Sequence, residues 1–469
     1  MTQGPASGLE SQEPSAPLGF AQQYLWFLLQ YPDAGPARLN GNLVIEFHGP
    51  LDVPRLEHAL FTIEERHEPL RTYLRVEKGQ PRQVVAQAAN ESLRIVDIRP
   101  EERETALDAA VRAEMETPLD FVRGPVHRRI LLRLGPEEHV LLWTANHINV
   151  DFWSYRILIS ELRELYGAPD YGRPTTLPPL PLRFSEFAHA QRTAPNDERR
   201  ARFWRSYLEQ SECYQPPHRG PRRTRPSPEL TRSIPIEPDW IGRIDIVARD
   251  LGCTRFSILL AALGLVAHRW SGATDIVSLV ASAHRSSQTK HLIGPFADML
   301  PVRVRLSPEQ THADLVRAAQ STILRALLHE LPLRKVEDAT GRTYRFTFGV
   351  TDHLPFYDRV ASEGEKEPAR RALQRSDAAE IACGRITPDT HFRVWALPMR
   401  MYRMDLLFTM ERDLLLCTYQ PDLFTEEAID RALRWYLDAL KVIFTSPQSA
   451  MASMSLLWAR ADDNLSSTK

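Results

Sequence analysis

The chain has 469 residues and a mass of 53.6 kDa, with 58 basic against 60 acidic side chains and a formal charge of −2. At roughly 150 residues per domain that length predicts two or three domains, or two large lobes. Apolar residues at 43% and charged residues at 25% exclude a fibrous or disordered chain, and the near-zero net charge supplies no long-range field for nucleic acid or an anionic membrane.

In chain order, residues 1–16 are rich in Gly, Pro, Ser and Gln and predict a disordered arm. With no basic start followed by an apolar stretch, this segment is not expected to be a signal peptide. Ala21, Leu25 and Leu28 recur at helical spacing, with Trp26 and Phe27 beside them as core candidates. Residues 43–47 predict a strand. Val53 to His67 carries Leu56, Ala59, Leu60 and Ile63 on one face of an amphipathic helix. A helix over 103–116 follows, then two apolar strands, 128–134 and 139–145, separated by a turn at Gly135-Pro136. A helix over 154–166 closes this half.

The Pro- and Gly-dense stretch 167–193 marks a linker. Beyond it, helices are predicted at 198–210, 238–250, 255–270, 312–329 and 425–445, and strands at 275–282, 301–306, 344–351, 403–410 and 413–419. The most apolar run, Phe256 to Ala267, ends in His268-Arg269 and falls short of the roughly 20 residues of a membrane span, so it predicts a buried helix. Residues 352–398 are polar and patternless and are expected to form an inserted loop. No short-period repeat argues for a solenoid. Cys213, Cys253, Cys383 and Cys417 are far apart and form no CxxC pair. No metal site or disulfide framework is therefore expected, and a reducing, cytoplasmic setting fits, with no nucleic-acid or membrane partner.

A nucleophile elbow GxSxG, a phosphate loop GxxxxGK[ST], a GxGxxG turn and an HExxH helix are all missing, which argues against serine hydrolases, nucleotide-driven enzymes, Rossmann oxidoreductases and zinc proteases. The segment that stands out is Asn146-His147-Ile148-Asn149-Val150-Asp151-Phe152-Trp153-Ser154. It joins an apolar strand to a helix for which Ser154 is a good N-cap, a place where a scaffold presents catalytic side chains. A neutral imidazole there could take a proton from an attacking amine or hydroxyl. Spacing alone is no signal. His48-Asp52 shares the spacing, and with 15 histidines and 60 carboxylates about two His-xxx-carboxylate pairs are expected by chance.

The neighbouring residues resemble the HHxxxDG motif of the condensation domains of nonribosomal peptide synthetases. Other segments resemble that family in the right order. Residues 19–28, GFAQQYLWFL, are similar to SxAQxRLWxL; Arg66-His67-Glu68-Pro69-Leu70-Arg71-Thr72 matches RHExLRT; Phe184-Ser185-Glu186-Phe187-Ala188 is a weaker YxDFA. Residues 293–303, IGPFADMLPVR, follow IGxFVNTLPLR, and His329-Glu330-Leu331-Pro332-Leu333 is similar to HQDLPFE, one residue short. The likeness runs from about 17 to 457.

The resemblance implies an α/β fold of two chloramphenicol-acetyltransferase-like lobes in a V, with lobes at 17–180 and 181–457, an inserted loop at 352–398 and a disordered tail at 458–469. It implies a free-standing, monomeric acyltransferase of natural-product assembly. Carrier proteins acting in trans would present an acyl or aminoacyl thioester on phosphopantetheine, and a small-molecule amine or hydroxyl would accept it. No bound cofactor and no metal is implied. Carried over by position, His147 is the acid–base or positioning residue. Asp151 faces away from substrate and pairs with Arg285, and Phe152, Trp153 and Asp298 lie at the substrate tunnel. Asn146 stands for the motif's first His and Phe152 for its Gly. His67, Glu68 and Arg71, in a helix-to-strand corner, suit a packing role better, Trp153 plain burial, and His329 a bond to the carbonyls of a helix end. Two alternatives stay open: a catalytically silent recruitment domain and an acyltransferase using acyl-CoA.

Overall fold

The computed structural model describes residues 15–30, 39–87, 92–168, 177–222, 227–352, 379–397, 404–411 and 413–451. Most of the 1–16 arm, the bulk of the 352–398 segment and the 458–469 tail lie outside the described residues.

Strand β1 (Ser15–Pro17) leads into helix α1 (Phe20–Leu29), whose buried stripe is Phe20, Gln22, Leu25 and Leu28. That stripe turns residue 27 outward: Phe27 is 51% exposed rather than core. Strand β2 (Asn40–His48) is followed by α2 (Val53–Arg66), capped by Asp52, whose side chain accepts from the Arg55 amide. Strands β3 (Thr72–Glu77) and β4 (Gln80–Val85) form a hairpin that no expectation covered. Lys78 and Gly79 both hold positive φ, as a two-residue hairpin turn of the favoured hand demands. Then come β5 (Arg94–Asp97), α3 (Arg103–Glu116), β6 (His127–Gly135), β7 (Glu138–Asn146), α4 (Phe152–Gly167) and α5 (Phe184–Thr193). The last lies inside the stretch expected to be linker.

The chain continues through α6 (Glu198–Tyr207), β8 (Leu230–Pro235), α7 (Trp240–Asp250) and α8 (Arg255–Ser271). Next are β9 (Asp275–Ser282), β10 (Asp298–Arg305), α9 (His312–Leu328), α10 (Leu333–Thr340) and β11 (Gly349–Asp352). Strands β12 (Ala379–Arg385), β13 (His391–Ala396), β14 (Leu406–Met410) and β15 (Leu414–Tyr419) precede helix α11 (Glu426–Thr445). The strand expected at 344–351 begins only at Gly349.

Two compact units result, both discontinuous in sequence. One takes Met1–Ala194, Arg285–Phe296 and Asp358–Met399, the other Pro195–His284, Ala297–Tyr357 and Arg400–Lys469. The first holds a six-stranded sheet, β12-β13-β2-β7-β6-β5, and a three-stranded sheet, β1-β4-β3. Its central strands β2 and β7 are buried almost throughout, which explains their near-continuous apolar sequence. Residues 379–396 are thus not loop. Val394 pairs with Ile45, and β13 continues the sheet. Strands of mixed polarity at a sheet margin carry no strong alternation, so only the long-range partner reveals them.

The second unit holds a four-stranded sheet, β11-β14-β15-β8, and the antiparallel pair β9 and β10. Its core is organised on α8, buried from Ser257 to Ala267, capped by Thr254 and stopped by left-handed Gly272. Among the described residues no single helix is long and apolar enough to cross a membrane.

Candidate active site

Strand β7 ends at Asn146, and after five intervening residues the chain enters α4. The intervening loop is held by its own polar groups. The Asn146 carbonyl accepts from the amides of Asn149 (2.9 Å) and Val150 (3.1 Å), and the His147 amide donates to the Leu39 carbonyl at 2.8 Å. Asn146 is fully buried, and its side chain serves the scaffold: Nδ2 donates to Asn40 Oδ1 at 3.1 Å and Oδ1 accepts from the Ile148 amide at 3.1 Å. Asn149, which the sequence did not single out, donates through Nδ2 to the carbonyls of Pro69 (2.8 Å) and Thr72 (2.9 Å).

His147 is half-buried. Its Nδ1 lies 2.7 Å from the Val150 carbonyl. A carbonyl can only accept, so Nδ1 carries a proton, and in the neutral tautomer the lone pair lies on Nε2. Nε2 has no hydrogen-bond partner among the described residues. The ring is therefore oriented by its own loop with one basic nitrogen uncommitted, which is the arrangement general-base chemistry requires.

Asp151 is the N-cap of α4. Its Oδ1 accepts from the Ser154 amide at 2.8 Å and from Ser154 Oγ at 2.7 Å. Arg285 closes on both carboxylate oxygens at 2.8 and 2.9 Å, and Oδ2 also accepts from the Phe296 amide at 3.1 Å. The pair is sealed: side-chain exposure is 1% for Asp151 and 4% for Arg285. Burial pulls the Arg285 guanidinium below its ordinary value, with the Asp151 charge and hydrogen bond opposing. Arg285 also donates to the carbonyls of Thr289 (2.9 Å) and Leu292 (2.6 Å), and its guanidinium lies 4.3 Å from the Phe296 ring centroid. Asp151 thus does not face the uncommitted imidazole nitrogen; it locks segment 285–296 to the start of α4.

Ser154 adds to the lock: its Oγ accepts from the Gly294 amide at 3.0 Å while its one hydroxyl proton goes to Asp151. A Cβ at Gly294 would stand 2.6 Å from Phe184 Cδ2 and 2.8 Å from Phe296 Cε2, so only glycine fits. His67 holds the same segment from the other direction. Its Nδ1 accepts from the Ile293 amide at 3.2 Å, which obliges Nε2 to carry the proton it presents to Glu161 Oε2 at 2.9 Å. The ring is neutral. Burial pushes its pKa down, and the Glu161 hydrogen bond and charge only partly offset this. Arg66 caps the other Glu161 oxygen at 3.0 Å. Glu161 was missed in the sequence, although it interrupts the apolar stripe Ile157, Leu158, Leu162 of α4, a pattern that marks a buried acid with a partner.

Glu68 accepts from the Ser185 amide at 3.1 Å, and Arg71 donates to the carbonyls of Ala86 and Glu65. The 66–72 motif is therefore scaffold. Phe152 is the first residue of α4 with no left-handed φ, so the backbone does not require glycine there. Its ring packs edge-on against Tyr155 with centroids 5.6 Å apart. Trp153 is half-buried; its Nε1 donates to the Lys290 carbonyl at 3.0 Å, and Arg156 covers its ring at 5.0 Å. Asp298, in the second unit, opens β10. Its carboxylate accepts from the Met299 amide (2.7 Å) and the Leu333 amide (3.1 Å) and so fastens α10. Burial raises its pKa, against those donors and His284. His329 caps α9, with Nδ1 donating to the Arg325 carbonyl at 2.9 Å. Among the described residues no group of three His, Cys, Asp or Glu could hold a metal.

A family model described as Condensation domain matches residues 12–466. The chain belongs to the condensation-domain family. This condensation-domain chain is 32% identical over 345 residues to phosphinothricin tripeptide synthetase PhsC of Streptomyces viridochromogenes, covering 70% of itself and 31% of that protein. It is 33% identical over 471 residues to a linear gramicidin synthase of Brevibacillus parabrevis, covering 94% of itself and 6% of that protein. It therefore spans less than a third of these synthetases. Among solved structures, SgcC5 of Streptomyces globisporus superposes with a TM-score of 0.74 at 22% identity, covering 93% of this chain and 100% of that one. The X-domain complexed with OxyB from teicoplanin biosynthesis gives 0.73 at 22% identity, covering 96% and 97%. These likenesses show the fold, a mixed arrangement of helices and sheets as expected.

Proposed function

We propose that this condensation domain is an acyltransferase of natural-product assembly, moving a carrier-bound acyl or aminoacyl group to an amine or hydroxyl acceptor. One observation carries the reading: among the described residues His147 has Nδ1 fixed on the Val150 carbonyl and Nε2 uncommitted. Nε2 takes the proton as the acceptor's nitrogen or oxygen bonds to the thioester carbonyl carbon. The tetrahedral intermediate then expels the thiolate, which recovers the proton from the imidazolium, leaving an amide or ester and a free thiol. General-base help of this kind contributes about 10²- to 10⁴-fold. Asp151, Arg285, Ser154 and His67 act by holding the loop and segment 285–296 around the ring. The phosphopantetheine arm belongs to the partner's substrate, and the chain needs no metal of its own in this reaction. The partners are carrier proteins and a small acceptor, met by a monomer in the cytoplasm.

A second reading, a silent recruitment domain, draws support from Asn146, spent on the scaffold, and from Phe152 in place of glycine. A structural neighbour is an X-domain complexed with OxyB. Intact-mass measurement of a loaded carrier protein with an acceptor panel tests the choice, with acyl-CoA offered in parallel as a third donor. Transfer that falls at least 100-fold in His147→Ala supports the enzyme. Wild-type turnover in that variant overturns the role of His147. No transfer by the parent, with transfer gained in Phe152→Gly, supports recruitment.

A further inference from the structure

In the second unit, helices α6 and α9 wall a cleft of about 620 Å³ floored by β10. Arg199, Arg202, Arg303, Arg305 and Arg325 line it, and no carboxylate among the described residues does. The positions follow helical and strand periodicity. Residues 199, 202 and 206 share one face of α6, residues 318, 321, 322 and 325 one face of α9, and residues 303 and 305 one face of β10. In a chain of net charge −2, five guanidiniums around one concavity are a concentrated positive field.

The charges are not used up internally. Arg303 is spent: Nε donates to Asp275 Oδ1 at 2.8 Å, NH1 donates to the Tyr207 carbonyl at 2.8 Å, and its side chain is 8% exposed. Arg305 reaches the same carboxylate at 3.6 Å while 67% exposed. Arg199, Arg202 and Arg325 are exposed and form no ion pair among the described residues. Arg325 lies 5.8 Å from the ring centroids of both Phe203 and Tyr207, themselves stacked 5.1 Å apart, so its head is placed by the aromatic wall. Tyr207 is fixed in turn, since its hydroxyl donor site meets Thr322 and its oxygen accepts from the Arg303 amide at 2.8 Å. Among the described residues the ion pairs of these five guanidiniums are thus those of Arg303 and Arg305 with Asp275, which lies outside the lining, and Ser206 and Ser321 add hydroxyls to the lining.

We infer that this cleft binds a diphosphate group. The planar guanidinium fork matches phosphoryl oxygens two at a time, and four guanidiniums beyond the spent Arg303, on three separate elements, exceed what one phosphate can engage. A concavity of this volume suits a small ligand rather than a protein helix. The inference is independent of the role of His147.

Isothermal titration of the full chain with pyrophosphate, orthophosphate, ADP and coenzyme A tests it. Pyrophosphate is expected to bind more tightly than orthophosphate. Arg202→Gln and Arg325→Gln should each weaken it about tenfold or more. Arg317→Gln, on α9 but outside the lining and paired with Asp314, should change it less than twofold. Equal affinity for pyrophosphate and ADP would identify the diphosphate as the whole determinant. Tighter ADP or coenzyme A would add a nucleoside contact to the same site. The inference is overturned if millimolar pyrophosphate shows no saturable binding, or if Arg317→Gln weakens it as much as Arg202→Gln. It is overturned equally if an acidic carrier protein binds through Arg202 and Arg325 without competition from pyrophosphate.

Discussion

Replacing Asp151 by Ala removes the acceptor of five hydrogen bonds and leaves Arg285 charged in a site where only 4% of its side chain meets solvent. Breaking a buried pair in this way costs about 3–5 kcal/mol, chiefly from the stranded charge. The lost helix cap alone accounts for about 1 kcal/mol of that. Asp151→Asn retains a capping oxygen and isolates the charge; it should cost about 2 kcal/mol or more. In the double variant Asp151→Ala with Arg285→Met the stranded charge is gone, and the pair should show a coupling of about 1–3 kcal/mol. Urea unfolding gives the stabilities. Hydrogen exchange gives the local signature, because the amides of Ile293, Gly294 and Phe296 all donate to side chains of this lock. They should lose protection together, ahead of β2 and β7. A cost of about 1 kcal/mol for Asp151→Ala, or strict additivity in the double variant, would refute the view that this ion pair holds segment 285–296.

Other outcomes follow from the same network. His67 has a folded pKa pushed below its unfolded value by burial, so its stabilisation is fully present above about pH 6.5 and is lost as the pH falls toward the folded value. His284, raised chiefly by the Glu330 hydrogen bond and charge against burial, runs the other way: its contribution is present below about pH 6.5 and fades as the pH rises through the folded value. Stability measured from pH 8 to pH 5 should therefore fall less steeply in His67→Gln than in the parent, and more steeply in His284→Gln; parallel curves would refute both assignments. Gly294→Ala forces a Cβ into the Phe184 and Phe296 rings and should cost about 1–3 kcal/mol in urea unfolding. A neutral result would mean that the rings yield freely.

Local pattern determined a great deal of this protein. The stripe at 56, 59, 60 and 63, the apolar strands before the 146–154 segment and the apolar run of α8 are each visible within a dozen residues, since burial on one face imposes its own period. The motif resemblance alone grouped His147, Asp151 and Arg285. Tertiary structure decided the rest, because the deciding partners are remote in sequence. β13 became a strand only against β2, some 350 residues earlier. Asn146, expected to support the motif, and Asp298, expected at the substrate tunnel, both accept from backbone amides, and Asn146 also donates to the Asn40 side chain. Glu161 and Gly294 acquired their importance only when α4, His67 and segment 285–296 met. A buried polar group must find its hydrogen bonds wherever the fold brings them, and no periodicity along the chain encodes that address.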